Sequence, residues 1–205
     1  MNVDPLTTPH RCPTSLRAFV RLLQYLFLAA ILTGPAAGAN ELHSGNVYPL
    51  TFTDVDQQRL STADGHATII TVLTRKDETK AQQVGDRVPD FCLGDPKFRL
   101  ITMVNFQKSI FPLFHGMINA IIRSRMDAAA KDLQKNYTAK HLTRNPRSDI
   151  FVVADFDGKA VTQLGLDPMG SEFAVFVFDG RGRLVRGWND VPSAEALAAA
   201  VNEAR

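Results

Sequence analysis

The pattern of apolar and polar positions after residue 47 predicts a sheet of five strands. Five apolar or β-branched runs have the length of strands: 67–74, 98–106, 150–154, 173–178 and Leu184–Trp188. The first two runs are nearly continuous, which is typical of strands buried on both faces. Only Asp179-Gly180-Arg181-Gly182 separates the last two runs, so we expect them to form a tight hairpin. A shorter hairpin, formed by residues 48–53 and 59–60, is expected ahead of the sheet.

Three segments have the pattern of helices. A polar segment at 77–88 ends near Pro89, and the last helix, Ala194–Ala204, follows a capping Ser193. The longest helix is predicted from Pro112 to about Tyr137, where apolar residues recur every three or four positions. These apolar residues are Phe114, Ile118, Ile121, Ile122, Met126, Ala129 and Leu133. Helices between strands require parallel neighbours, and the closing hairpin adds antiparallel strands. The chain is therefore predicted to be an α/β three-layer sandwich with a mixed central sheet and helices on both faces.

The first 39 residues have the pattern of a secretory signal peptide. Arginines at 11, 17 and 21 precede an apolar stretch at 22–34, and Ala37-Gly38-Ala39 has the form of a cleavage site before Asn40. The apolar stretch is short for a membrane span, although an uncleaved anchor remains the alternative. We therefore expect a periplasmic or secreted protein whose single domain covers residues 40–205, with a membrane contact only if the segment is retained.

Removal of this segment changes both the charge and the cysteine count. The whole chain has 23 basic and 21 acidic residues, and the loss of three arginines and one aspartate leaves 20 of each. A balanced charge gives no general attraction to polyanions. Cys12 is lost as well, so Cys92 becomes the only thiol. A single cysteine excludes an internal disulfide and dithiol chemistry.

The order of these elements, together with the closing FAVFVFDGRGRLVRGW at 173–188 and its helix, resembles the thioredoxin-like superfamily, in particular its peroxiredoxin and periplasmic thioredoxin members. The resemblance covers residues 47–204. It implies a Cys-x-x-Cys pair or a peroxidatic cysteine directly after the first central strand, and a cis-proline before the penultimate strand. Here residues 74–79 read Thr-Arg-Lys-Asp-Glu-Thr, and Phe173 stands at the place of the proline.

The leading interpretation is an exported, redox-inactive thioredoxin-like protein that binds a protein or a ligand, without a cofactor. Arg75 and Lys76 occupy the family's catalytic place and are candidate binding residues. The alternative is a one-cysteine thiol peroxidase or oxidoreductase that uses Cys92. This cysteine lies beyond the first helix between Asp90 and Asp95, which disfavour a thiolate, so it is also interpreted as a small packing residue.

Basic residues are concentrated at 123–147, where seven lysines and arginines face two aspartates. This segment is a candidate docking face for an acidic protein or an anionic surface, with a solvated helix face as the alternative. A helical projection places Arg123, Lys131 and Lys135 on one solvent-facing arc and Arg125 towards the apolar side. Nucleic acid is not an expected partner, because Tyr137 is the single interleaved aromatic residue. The histidines and cysteines show no metal-binding spacing.

Overall fold

A five-stranded mixed sheet forms the centre of residues 41–205, the part of the chain that the computed structural model describes. Its strands are β3 (Ala67–Leu73), β4 (Phe98–Asn105), β5 (Phe151–Asp155), β6 (Ala174–Phe178) and β7 (Leu184–Trp188). Their order is β5-β4-β3-β6-β7. The first three strands in this order are parallel, whereas β6 and β7 are antiparallel to their neighbours. The five predicted strands and the predicted mixed sheet are confirmed.

A small hairpin lies outside the sheet. Strand β1 (Thr51–Thr53) pairs antiparallel with β2 (Arg59–Ser61), as the alternating pattern predicts. Phe52 and Leu60, which lie opposite each other in the hairpin, are buried in the same cluster as Ile70 of the central strand. The hairpin therefore covers part of one face of the sheet. The signal peptide predicted at residues 1–39 lies outside the described residues.

Within residues 41–205, four α-helices connect or flank the strands: α1 (Glu78–Arg87), α2 (His115–Ala139), α3 (Lys159–Gln163) and α4 (Ala194–Ala204). The first, second and fourth correspond to the predicted helices, and the Ser193 hydroxyl caps α4 by accepting a hydrogen bond from the N–H of Ala196. Helix α3 was not predicted. The buried Asp155 carboxylate accepts hydrogen bonds from the N–H groups of Gly158 and Val161, and so organises its first turn.

The side chains of β3 alternate between two apolar clusters. Ile70 and Val72 pack with Val161 and Leu164, at α3, on one face. Ile69 and Leu73 pack on the other face, in a cluster that includes residues of α1 and α4. Because both faces of the sheet carry helices, the predicted three-layer α/β arrangement is confirmed.

Helix α2 buries a different set of residues from the predicted stripe. Its buried residues are Met126, Ala130 and Tyr137, and Met126 packs with Val152 of β5. Ile121 and Ala129, both predicted to face the core, are exposed. The prediction failed because the first half of α2 carries apolar residues on two faces, and a projection that averages them points between the two.

Candidate functional site

The turn that follows β3 occupies the place where the resemblance to thioredoxin-like proteins implies a redox cysteine. The Asp77 carboxylate accepts a hydrogen bond from the N–H of Thr74 at 3.0 Å and another from its hydroxyl at 2.7 Å. The N–H of Asp77 donates in return to the Thr74 carbonyl at 3.0 Å. Three hydrogen bonds thus close the turn locally, and they leave Arg75 and Lys76 exposed at its tip. Neither cation forms an ion pair with any residue between 41 and 205.

The segment after β4 reaches the same edge of the sheet, because β3 and β4 are parallel and in register. The buried Asn105 amide donates a hydrogen bond to the Gly170 carbonyl at 3.3 Å, and its carbonyl oxygen accepts one from the N–H of Gln107 at 2.8 Å. Gln107 and Lys108 have φ angles of 52° and 54°. Two consecutive non-glycine residues in the left-handed region are unusual, and the Asn105 and Gly170 contacts hold them there.

Phe173 lies directly before β6, where the resemblance implies a cis-proline. Its side chain is buried, and the Lys80 ammonium lies 5.4 Å from the centre of its ring. Lys80 also pairs with Asp190 at 2.9 Å. The place of the proline is thus filled by an apolar packing residue.

Cys92 lies away from this edge. It ends a 3-10 turn, Asp90–Cys92, between α1 and the start of β4, and it is therefore at the opposite end of the parallel strands from Thr74. Cys92 is 3% exposed and packs in the cluster that contains Val84 and Phe98. Burial, with a smaller contribution from the negative charge of Asp95, raises the pKa of the Cys92 thiol to about 12. A thiol with this pKa is protonated at neutral pH and is a poor nucleophile.

The basic segment differs from its predicted arrangement. Arg123 is half-buried and pairs with Asp56 at 3.1 Å, and it also donates to the Val55 carbonyl. Arg125, by contrast, is largely exposed: 71% of its side chain is accessible to solvent, and it pairs with Glu78 at 3.0 Å. The predicted positions of Arg123 and Arg125 are therefore reversed. The physical reason is that the buried Met126 lies about 60° around the helix from Arg123 but about 100° from Arg125, while Ile121 is exposed.

Three more cations of this segment are occupied by acidic partners. Arg147 pairs with both Asp56 and Asp127, at 2.6 and 2.9 Å. Arg144 and Lys140 pair with Asp149 and Asp90 respectively. Among residues 41–205, Lys131 and Lys135 form no ion pair and are exposed, as predicted. The basic segment is thus mainly an ion-pair network within residues 41–205, in which Lys131 and Lys135 take no part.

An exposed apolar segment that was not predicted from the sequence begins after Lys108. The most exposed large apolar side chains between residues 105 and 125 are Phe111, Leu113, Phe114, Met117 and Ile121. A signal for it was available, because residues 109–122 contain no lysine, arginine, aspartate or glutamate. Surfaces of this kind mark interaction sites on soluble proteins.

Two cavities lie away from the Thr74–Asp77 turn. One, of about 700 Å³, is open at the start of β3 and is lined by Gly65, Phe98, Arg181, Arg183 and Arg205, among others. Arg183 there is already bound by Asp179 and Glu203. The other, of about 300 Å³, lies between β7 and α4. The described part of the chain brings no three histidine, cysteine or carboxylate side chains together as metal ligands. Nor does it contain a helix long and apolar enough to cross a bilayer.

No family model and no curated protein sequence matches the chain. Solved structures do resemble it. The exposed lipoprotein thioredoxin of Streptococcus pneumoniae strain TIGR4 is 13% identical, with 76% of this chain and 98% of that chain covered and a TM-score of 0.48. A thioredoxin family thiol:disulfide interchange protein from Chlorobium tepidum TLS is 13% identical, with 80% and 98% covered and a TM-score of 0.47. A peroxiredoxin-like protein from Aquifex aeolicus is 14% identical, with 80% and 89% covered and a TM-score of 0.46.

Similarity at this level of sequence identity and TM-score gives no information about activity. The fold is assigned from the order and direction of the strands in this chain. Strand β3 lies at the centre of the sheet, with parallel β4 on one side and antiparallel β6 on the other. A hairpin to β7 and the terminal helix α4 complete the chain. By the order and direction of its strands, the chain has a thioredoxin-like fold.

Proposed function

We propose that this chain is an exported thioredoxin-like protein that acts by binding a protein or a ligand, and not by thiol–disulfide exchange. The observation that carries the proposal is the turn after β3. The position of the family's nucleophile is filled by Thr74–Asp77, and the side chains of Thr74 and Asp77 are engaged with each other. Neither group is a nucleophile that could replace a thiolate in an exchange reaction.

The cysteine content supports the same proposal. Cys92 is the single cysteine between residues 41 and 205, and it is buried with a raised pKa. Exchange requires a thiolate to attack and a second thiol to resolve the mixed disulfide. The burial of Cys92 also counts against the alternative of a one-cysteine peroxidase, because a peroxide must reach the sulfur.

The binding residues that we propose are Arg75 and Lys76. They lie at the carboxyl ends of the parallel strands, which is the edge where open α/β sheets bind their ligands. Both side chains are exposed, and the rigid turn beneath them fixes their backbone. Two exposed cations on a fixed turn favour an acidic ligand or an acidic segment of a protein. Lys131 and Lys135 remain a second, smaller candidate for such a contact.

Export is proposed from the first 39 residues alone. The arginines, the apolar stretch and the small residues before Asn40 together have the form of a signal peptide. N-terminal sequencing of the protein recovered from the exported fraction tests this part, because cleavage before Asn40 gives a new N-terminus at that residue. An intact N-terminus on membrane-bound protein supports the tethered alternative.

Two experiments test the proposed activity. Insulin reduction by the wild type is expected to equal that of the Cys92→Ala variant, whereas a rate above this control contradicts the proposal. For binding, wild type and an Arg75→Glu/Lys76→Glu variant are used to capture proteins from the exported fraction at low salt. We expect this variant to lose partners that a Lys131→Glu/Lys135→Glu variant, which has the same change of charge at the second candidate, retains. If the wild type and both variants capture the same set of partner proteins, Arg75 and Lys76 are not the binding residues.

A further inference from the structure

As far as Ala128, helix α2 has an exposed face without charge, opposite the face that packs on the sheet. It consists of Met117, Ala120, Ile121, Ser124 and Ala128, and Leu113 and Phe114 of the preceding 3-10 turn extend it. We call these seven residues the α2 outer face. At 100° per residue its helical members lie within about 60° of Met117, whereas the buried Met126 lies about 180° away. All seven are exposed.

We propose that the α2 outer face is a two-fold interface with a second copy of this chain. The sizes of its side chains support self-pairing. Leu113 and Met117, at its beginning, are large, whereas Ser124 and Ala128, at its end, are small. If two copies pack antiparallel about an axis between Ala120 and Ile121, Leu113 of one copy lies across from Ala128 of the other. The same symmetry places Met117 across from Ser124. Large side chains then meet small ones along the whole contact, which favours close helix packing.

The exposed area is sufficient for such a contact. Leu113 is 87% exposed and Phe111, beside the outer face, is 75% exposed. With Phe114, Met117 and Ile121 they expose on the order of 600 Å². Two copies would bury about 1,200 Å², the lower end of the range for specific interfaces. We therefore expect a reversible dimer whose population depends on protein concentration.

The charges near the outer face favour a second copy over a bilayer or an acidic partner. No charged residue lies on it before Lys131, so it offers nothing to attract a charged protein and nothing to repel its own copy. Membrane-surface helices combine an apolar face with free cations beside it. Here Arg123 and Arg125, which flank the face, are held by Asp56 and Glu78. The exposed Lys131 and Lys135 lie in line with the face but beyond its apolar residues, towards the end of the helix.

Two adjacent alanines give a matched test. Ala128 lies on the outer face, whereas Ala129, also exposed, points about 100° away from it. Sedimentation velocity of the purified protein, over about a hundredfold range of concentration, is expected to show a monomer–dimer equilibrium for wild type and Ala129→Glu. Ala128→Glu is expected to be monomeric throughout that range, with an unchanged far-ultraviolet circular dichroism spectrum. A monomeric wild type overturns the proposal, whether or not it floats with phosphatidylcholine vesicles. If Ala128→Glu and Ala129→Glu weaken the dimer equally, the proposal is overturned as well.

Cross-linking tests the position of the axis. In a Cys12→Ala background, the Ile121→Cys variant places two thiols close to the proposed two-fold axis, while Cys92 stays buried. Mild oxidation is expected to yield a covalent dimer from Ile121→Cys and little from Ala129→Cys. If the wild type dimerises but Ala129→Cys cross-links as efficiently as Ile121→Cys, the dimer uses another surface and the proposal is wrong. These results do not depend on Arg75 and Lys76, so they are separate from the proposed binding function.

Discussion

The imidazole of His115 lies face to face on the ring of Phe156, with 3.9 Å between the ring centres and 9° between the planes. On its other side Phe156 stacks with Phe106 at 4.8 Å. These residues come from the first turn of α2, the segment after β5 and the end of β4. The imidazole Nε2 of His115 also lies 3.1 Å from the Ile110 carbonyl. The stack therefore fastens three separate segments together at the edge that carries the proposed binding turn.

Replacement of His115 tests what the stack contributes to stability. We expect His115→Ala to lower the free energy of unfolding by about 1–2 kcal/mol, because it removes an aromatic contact and part of a packed surface. His115→Phe keeps the stack but loses the contact with Ile110, so it is expected to retain most of the stability. Urea unfolding of the three proteins measures the difference. If both variants lose the same free energy of unfolding, the polar contact with Ile110 contributes more to stability than the stack.

Asp77 is expected to be the residue that holds the binding turn in shape. Asp77→Ala removes the acceptor of two hydrogen bonds from the largely buried Thr74 and is expected to cost about 1–2 kcal/mol of stability. Glu78→Ala is the control, since Glu78 is an exposed neighbour whose pair with Arg125 is also exposed. Urea denaturation gives the stability, and hydrogen exchange at the Thr74 amide reports the local opening. An unchanged exchange rate in Asp77→Ala contradicts this role.

The strands could be predicted from the sequence because burial on both faces leaves a plain signal. All seven residues of β3 are buried, and its nearly uninterrupted run of apolar and β-branched residues indicates this burial in the sequence. Helix α3 gave no such signal, because five residues do not complete enough turns to show a helical period. Its start depends on the carboxylate of Asp155, a residue that by itself is equally compatible with a simple turn.

Alkaline pH is expected to destabilise the protein through Cys92. The native thiol has a pKa of about 12, whereas an unfolded cysteine titrates near 8.5, so above that pH the unfolded state loses its proton first. The stabilisation is present in full below about pH 8.5 and decreases as the pH rises towards 12. Between about pH 8.5 and pH 10 we expect wild type to lose about 1–2 kcal/mol more than Cys92→Ala in urea unfolding. If the free energy of unfolding depends on pH in the same way in both proteins, Cys92 is not the origin of the alkaline destabilisation.

The same burial predicts slow thiol labelling. In the native protein, reaction of Cys92 with a thiol reagent near pH 8 is expected to follow the opening of the fold and to accelerate on addition of urea below the unfolding transition. Rapid labelling of native protein near pH 6, with peroxide consumption that Cys92→Ser abolishes, would favour the peroxidase alternative instead.

The ion pairs of α2 could not be predicted from its own sequence, because their partners are remote. Asp56 lies 67 residues before Arg123 and 91 before Arg147, yet its carboxylate bonds to both. A helical projection contains no information about such a partner. It also weights every apolar residue equally, so Ile121, which is exposed, shifted the expected core side of the helix. Local charge density thus indicated a docking face where the fold forms a network.

Arginines 123 and 125 give a matched comparison of a network cation with a surface cation. Arg123→Ala removes the pair with Asp56 and the hydrogen bond to the Val55 carbonyl, and Val55 itself is buried against Met126. We expect this change to lower the free energy of unfolding by about 1 kcal/mol, because the carbonyl loses its donor while Asp56 retains Arg147. Arg125→Ala removes an exposed pair and is expected to cost less than about 0.5 kcal/mol.

Salt separates the two contributions further. The pair between Arg125 and Glu78 is open to solvent on both sides, so raising the salt concentration is expected to remove most of what Arg125 contributes. The hydrogen bond from Arg123 to a backbone carbonyl is short-ranged and is expected to persist in high salt. Urea unfolding of wild type and both variants, at low and at high salt, measures the contribution of each arginine to stability. If Arg125→Ala is the more destabilising variant, or if high salt removes the whole effect of Arg123→Ala, then Arg123 acts as a surface charge. The docking face first expected at residues 123–147 would then regain its third cation.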